Sequence, residues 1–189
     1  MNRRFTRFGI AALVLGLWSF YGVAGAARRE HHGNAAAGKY LVSVIPCTDC
    51  HTPGTLYGAP KMDRFLAGSE LGWVGPWGVV HAANLTPDKE TGLGNWTEDQ
   101  IVTALRTGVR PDGRQLAPIM PWQVFSHLTD KDAYSIAAYL KTLPAVKHAV
   151  PKVQGPNEKP AGAVINFPPP PAWDAPEGPP PGGAAPKKK

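Results

Sequence analysis

Five consecutive residues, Cys47-Thr48-Asp49-Cys50-His51, constrain this chain more than any other stretch. Two thiols three positions apart, followed at once by an imidazole, can hold one haem through two thioether bonds while the histidine nitrogen takes an axial site on iron. The same two residues are all the cysteine in the chain. A structural zinc site would need two more ligands, and no second cysteine pair is present. A redox-active dithiol would call for a βαβ context that the flanking sequence does not show. A plain disulfide leaves the adjoining histidine unexplained, so haem attachment is the reading that uses every part of the pentapeptide.

Attachment of that kind takes place outside the cytoplasm, and the N-terminus bears on whether the chain gets there. Arg3, Arg4 and Arg7 precede an apolar run over residues 8–26, and Ala24-Gly25-Ala26 has the small-x-small form of a signal-peptidase site. Residues 1–26 read as an export signal and 27–33 as a short linker, which makes the expected location periplasmic. The run is also close to the minimum length of a membrane-spanning helix, so retention as an anchor, with membrane association, is the alternative. The formal net charge is +6, but the signal contributes three arginines and no acid. Basic and acidic residues interleave through the remainder without aromatic-basic alternation, so no nucleic-acid partner is expected.

The periodic segments place the motif in an all-α frame. Asn34 is a good helix cap, and Ala37, Tyr40, Leu41 and Val44 share one helical face before Pro46 stops the segment. Gly38 in its middle costs about 1 kcal/mol of helix propensity, which points to close approach of another helix. A partner is readable near the far end, where Thr129 and Asp132 have capping-box-like spacing, Ala133, Ile136, Ala137 and Leu140 form a stripe, and Pro144 ends the run. Residues 54–80 are rich in Gly, Pro and aromatics and read as loop, with one short helix near Met62–Leu66. Thr97-Glu98-Asp99-Gln100 has capping-box spacing and opens a helix that turns Ile101, Val102 and Leu105 inward and ends at Gly108.

A low-spin electron-transfer haem takes a second axial ligand, and a thioether sulfur opposite histidine raises the potential. Met120, in the sequence Pro118-Ile119-Met120-Pro121, is the candidate, because the two prolines restrict the backbone that would deliver its sulfur. The bland reading of Met120 is a gap-filling core methionine. Met62 is the runner-up, while His81 or His127 would give a bis-histidine haem of lower potential; His31 and His32 sit beside the cleavage site. Arg110 and Arg114, in the turn before the ligand loop, are candidates for pairing with haem propionates or are simply solvated. Trp96, Trp122, Tyr40 and Phe125 read as packing aromatics.

On these stretches, Pro46–His51, Ala83–Gly94, Asn95–Gly113 and Pro118–Trp122, the chain resembles single-haem members of the class I cytochrome c group. More closely, it resembles the bacterial cytochrome c domains that serve periplasmic or membrane-bound dehydrogenases for alcohols, aldehydes and sugar acids. The resemblance implies a cytochrome c-like fold over residues 34–143, with long loops around one covalently attached haem and crossing terminal helices. It implies covalent attachment at Cys47 and Cys50, His51 as proximal ligand, Met120 as distal ligand, and one-electron transfer with no substrate site. It further implies a donor dehydrogenase and an acceptor cytochrome or terminal oxidase as partners, the chain being an electron carrier and not itself an enzyme. Such relatives often string several haem domains together, whereas this chain carries one Cys-x-x-Cys-His.

Residues 144–189 change composition and are expected to form a Pro-rich extended tail. Within it, Val164, Ile165 and Phe167 are apolar enough to lie back over the domain, and from Pro168 the chain reads as disordered or polyproline II. Two other functional classes remain in view: a haem enzyme of the peroxidase or thiosulfate-oxidising kind, and a haem-based sensor. Each needs a displaceable distal ligand.

Overall fold

The computed structural model of the protein describes residues 33–167. The expected signal, His31, His32 and the proline-rich end from Pro168 lie outside these residues. Helix α1 runs Ala35–Val44, capped by the Asn34 side chain, which accepts the Ala37 N–H. It stops at Ile45, which is extended as the residue before a proline prefers to be. Helix α5, Asp130–Thr142, begins with the Thr129 hydroxyl accepting from Asp132 N and buries Ala133, Ser135, Ile136, Ala137 and Leu140.

The two helices cross at Gly38. A Cβ there would stand 1.8 Å from the Ser135 carbonyl oxygen and 2.8 Å from Tyr139 Cβ, so only glycine allows the backbones to meet. The hydroxyl of the same Ser135 accepts the Asn34 N–H at 3.0 Å. This contact corrects the inward face read for α1. Gly38 and Val42 are its buried residues, whereas Tyr40 is 65% and Val44 58% exposed. Gly38 and Val42, four positions apart, set the line of contact, and Tyr40 and Val44, each two positions beyond one of them, turn outward.

Helix α3, Glu98–Thr107, has both halves of the capping box between Thr97 and Gln100 and buries Ile101, Val102 and Ala104. It ends at Gly108 in the left-handed conformation, φ 72°. One core joins Val42 of α1, Leu66 and Leu93 of the loops, Ile101 and Val102 of α3, and the α5 stripe. Two short helices complete the set, α2 at Cys47–His51 and α4 at Trp122–Phe125.

The all-α expectation does not hold. Within the segment read as loop, β1 (Gly72–Gly75) and β2 (Gly78–His81) form an antiparallel hairpin, and β3 (Val164–Asn166) joins β1 in parallel, in the order β2-β1-β3. Four-residue strands with glycine at their ends and Pro76 in the turn between them are too short to show alternation, and the third strand comes from a distant part of the chain. The short helix expected near Met62 is a 3-10 turn, Met62–Arg64.

The segment after Leu143 runs back along the domain and is held by side chains of the loops. Asn84 Nδ2 donates to the Val146 carbonyl at 2.7 Å, Thr86 Oγ1 accepts the Val146 N–H, and His148 bonds the Ala67 carbonyl through Nδ1. Asn84 and Thr86 are 1% exposed and are fully engaged in this network, as buried polar groups must be. Arg64 meets Glu70 at 2.5 Å, and His148 Nε2 lies 3.0 Å from the same carboxylate. Among the described residues no helix is long and apolar enough to cross a membrane.

Two outcomes follow from this packing. Gly38→Ala raises helix propensity by about 1 kcal/mol yet lowers stability by about 1–3 kcal/mol net through overpacking, read as a fall in the urea midpoint; a rise would show that α1 and α5 do not meet there. The Arg64 guanidinium holds the Glu70 carboxyl down at about 2, against 4.5 for the free group. Because the folded value is depressed, its stabilising contribution is complete above pH 4.5 and is lost as pH falls toward 2. Glu70→Gln therefore flattens acid unfolding across that window, and an unaltered acid profile would remove the pair from the account.

Candidate functional site

Helix α2 begins directly after Pro46 and carries Cys47, Cys50 and His51 on little more than one turn. Neither cysteine is in a disulfide, and both are partly buried. Burial pushes the Cys47 thiol up to about 11, with the nearby Cys50 and Asp49 acting in the same direction and its own backbone N–H opposing. Cys50 is raised as well, by burial first and by Asp49 second. A redox-active dithiol needs the opposite, a thiol whose ionisation is made easier. Both shifts make ionisation of the pair harder, not easier.

His51 closes the helix and is 8% exposed. Its Nδ1 lies 2.7 Å from the Ala83 carbonyl. A carbonyl only accepts, so Nδ1 carries the proton and Nε2 presents the lone pair. Burial lowers the pKa of the ring, with the Ala83 bond working against that, so the imidazole is neutral at neutral pH. The His51 carbonyl in turn accepts the Gly68 N–H at 2.8 Å. A neutral imidazole pinned through one nitrogen by a backbone carbonyl is the arrangement that aims the other nitrogen at a metal. Thr52, the next residue and 2% exposed, accepts the buried Leu66 N–H at 3.0 Å, which ties this turn to the following loop. A shallow recess beside Cys50 is walled by Leu56, Tyr57, Leu71 and Trp73.

The remaining candidates are placed as follows. Met120 ends a turn in which its N–H reaches the Ala117 carbonyl at 3.0 Å, and its own carbonyl takes the Trp122 N–H at 2.7 Å. It is half-buried, between α3 and α4. Met62 is 63% exposed on its 3-10 turn, which disfavours it as a ligand. His127 is exposed, and His81 lies in β2 with a buried, unpartnered Nδ1. The Arg110 guanidinium sits 5.0 Å above the Trp96 ring and 3.4 Å from Asp112, both local engagements. Arg114 uses its backbone N–H on Asp112, and its guanidinium makes no hydrogen bond to a side chain among the described residues.

Two participants escaped sequence reasoning. The Ala83 carbonyl orients His51 from 32 residues away, and no side chain announces it. The indole N–H of Trp122 is buried without an acceptor, two residues after Met120, and only the folded chain exposes that fact. Two thiols outside any disulfide on one short helix, a histidine with Nε2 available and an orphaned donor two residues after a half-buried methionine together fit a covalently attached haem. Among the described residues no three His, Cys, Asp or Glu side chains converge as a site for a bare metal ion.

No family model matches the chain. It is 39% identical over 127 residues to the fructose dehydrogenase cytochrome subunit of Gluconobacter japonicus, an alignment covering 67% of this chain and 25% of that protein. The chain is a relative of dehydrogenase cytochrome c subunits. It is likewise 36% identical to the cytochrome c subunit of a quinone alcohol dehydrogenase from Gluconobacter oxydans, over 54% of this chain and 20% of that one. It is 35% identical to the gluconate 2-dehydrogenase cytochrome c subunit of Pantoea cypripedii, over 69% and 27%. The matches thus span about a quarter of the relatives' length. The relationship carries a cytochrome c-like fold and haem c as its cofactor.

The Thr52 contact supplies a test of the site's frame. Thr52→Val keeps the shape of the side chain but leaves the Leu66 N–H unpaired, so it destabilises by about 1–3 kcal/mol, whereas Thr52→Ser is close to neutral. Equal denaturation midpoints for the two variants would show that the hydroxyl carries nothing.

Proposed function

We propose that the chain is a periplasmic one-electron carrier that holds a single haem c, attached through Cys47 and Cys50 and ligated by His51 and Met120. The observation that carries this reading is the buried His51 ring, pinned through Nδ1 by the Ala83 carbonyl so that Nε2 is free, on the same short helix as Cys47 and Cys50. One Cys-x-x-Cys-His in the chain supports one haem. Bound haem supplies a one-electron couple on its iron, and a thioether ligand favours the reduced state. The protein's part is to keep both ligands in place as one electron enters and one leaves, so that little has to reorganise. His51 does this through the Ala83 and Gly68 bonds, and Met120 through a turn bounded by Pro118 and Pro121.

Residues 1–26 serve as the export segment in this reading, with membrane attachment if they are retained. The donor is a dehydrogenase, as the relatives' names suggest, and the acceptor another cytochrome or a terminal oxidase. Docking is brief and weakened by salt, as suits small electron-transfer interfaces. Of the two arginines, Arg114 is the better placed to meet a haem carboxylate, because Arg110 is engaged with Trp96 and Asp112.

The test is the visible spectrum of the reduced protein, matured in cells that attach c-type haem, before and after carbon monoxide. Wild type shows covalent haem and no response to carbon monoxide, while Met120→Ala binds it. Ready binding by the wild type would remove Met120 from the iron, and the absence of haem would end the reading altogether.

A further inference from the structure

Leu66 is the one non-glycine among the described residues with a positive φ, 56°, and it is fully buried. A leucine keeps that left-handed conformation only where its surroundings impose it. Its N–H donates to Thr52 Oγ1, and its carbonyl accepts the Leu85 N–H. The next peptide unit, between Ala67 and Gly68, is held at both ends. Its N–H donates to the His51 carbonyl at 2.8 Å, and its carbonyl lies 2.7 Å from His148 Nδ1. One peptide group thus separates the His148 ring from the backbone of His51.

A carbonyl only accepts, so His148 Nδ1 carries a proton. Nε2 is then the site at which the ring gains or loses one, and it stands between opposites, 3.0 Å from Arg64 Nη1 and 3.0 Å from Glu70 Oε1. Arg64 only donates. Glu70, held down at about 2 by its hydrogen bonds from Arg64, is ionised and only accepts. With Nε2 bare, the ring accepts from Arg64; with Nε2 protonated, it donates to Glu70 while the guanidinium faces a like charge. Each state has a partner at the same distance, and the Nδ1 bond to Ala67 persists in both. The other charged groups around the residue are engaged: Lys147 pairs with Glu90 at 2.6 Å, and Asp88 accepts from the Thr91 hydroxyl, whose oxygen takes the His148 N–H. The His148 side chain is 13% exposed, so solvent protons reach it.

We propose that His148 is a positioning residue for His51, acting through the Ala67–Gly68 peptide, and that its Nε2 takes up a proton as the haem takes up an electron. The inference rests on the haem reading given above. The electron comes from the donor and the proton from water, and both depart when the acceptor oxidises the protein. A hydrogen bond from a charged ring polarises the peptide it meets more than one from a neutral ring, and polarisation passes along a chain of such bonds. Positive charge on His148 therefore disfavours the oxidised, more positive iron. By the same linkage the reduced protein holds the Nε2 proton more tightly. The midpoint potential falls as pH rises through the range in which histidines change charge, about pH 5–8.

The experiment follows the midpoint potential of the holoprotein against pH in wild type and in His148→Gln, whose amide N–H still suits the Ala67 carbonyl but does not titrate. His127→Gln, at an exposed histidine, is the control. The expected result is one visible spectrum for all three, a falling leg in wild type and control, and its loss in His148→Gln. Superimposable profiles for wild type and His148→Gln, or a leg lost in His127→Gln instead, would overturn the proposal. Should His148→Gln fail to mature, nitrogen-15 spectra of the wild-type ring in both redox states decide. Nε2 is expected to be the titrating nitrogen, with its inflection at higher pH in the reduced protein; titration at Nδ1, or inflections that coincide, sinks the idea. A wild type without haem overturns the underlying reading instead, and the spectrum shows that before any potential is measured.

Discussion

The contact between the backbones of α1 and α5 at Gly38 is the constraint from which the rest of the domain is laid out. Ser135 serves it twice, offering its carbonyl beneath the glycine and its hydroxyl to the Asn34 N–H. With the helices at that separation, Val42 reaches the core and meets the α5 stripe. Only Ile45 and Pro46 then separate the end of α1 from Cys47. Proline fixes one backbone angle of the link, so the direction of α2 is inherited from the helix crossing.

His51, at the other end of α2, is held by loops that are themselves bonded to one another. The Leu85 N–H reaches the Leu66 carbonyl, and the Ser69 N–H reaches the Ala82 carbonyl. His51 sits between these two stretches, with its ring on Ala83 and its carbonyl on Gly68. The buried Asn84 and Thr86 satisfy the same stretches from behind and bind them to Val146. Irregular backbone buried to this degree is stable only because its polar groups are paired, and two of those bonds hold His51.

What the sequence revealed and what it hid divide by range. Local signals were legible: the capping box of Thr97 and Gln100, the Asn34 and Thr129 caps, the stripe of Ala133, Ile136, Ala137 and Leu140, and Gly38 as a place where helices meet. The face of α1 is hidden because Tyr40 and Val44 are apolar yet exposed, whereas the missing side chain of Gly38 marks the closest approach. The sheet was hidden because its strands are brief and β3 arrives from residue 164 onward. At the site, Cys47, Cys50 and His51 stood out by spacing, whereas the Ala83 carbonyl has no chemical identity in a sequence. The orphaned indole of Trp122 exists only as a property of packing.

The crossing that organises the domain also orders events in time. Asn34 and Ser135 are 101 residues apart, and β1 cannot acquire β3 until nearly the whole described chain is present. Contacts of such separation close late, since the loop entropy must be overcome before they form. Until then the thiols of Cys47 and Cys50 remain hydrated and ionise as ordinary cysteines do, near 8.5. Closure raises Cys47 to about 11, which removes most of its thiolate at neutral pH. Access to those sulfurs is therefore greatest in the open chain, before the fold partly buries Cys47 and Cys50.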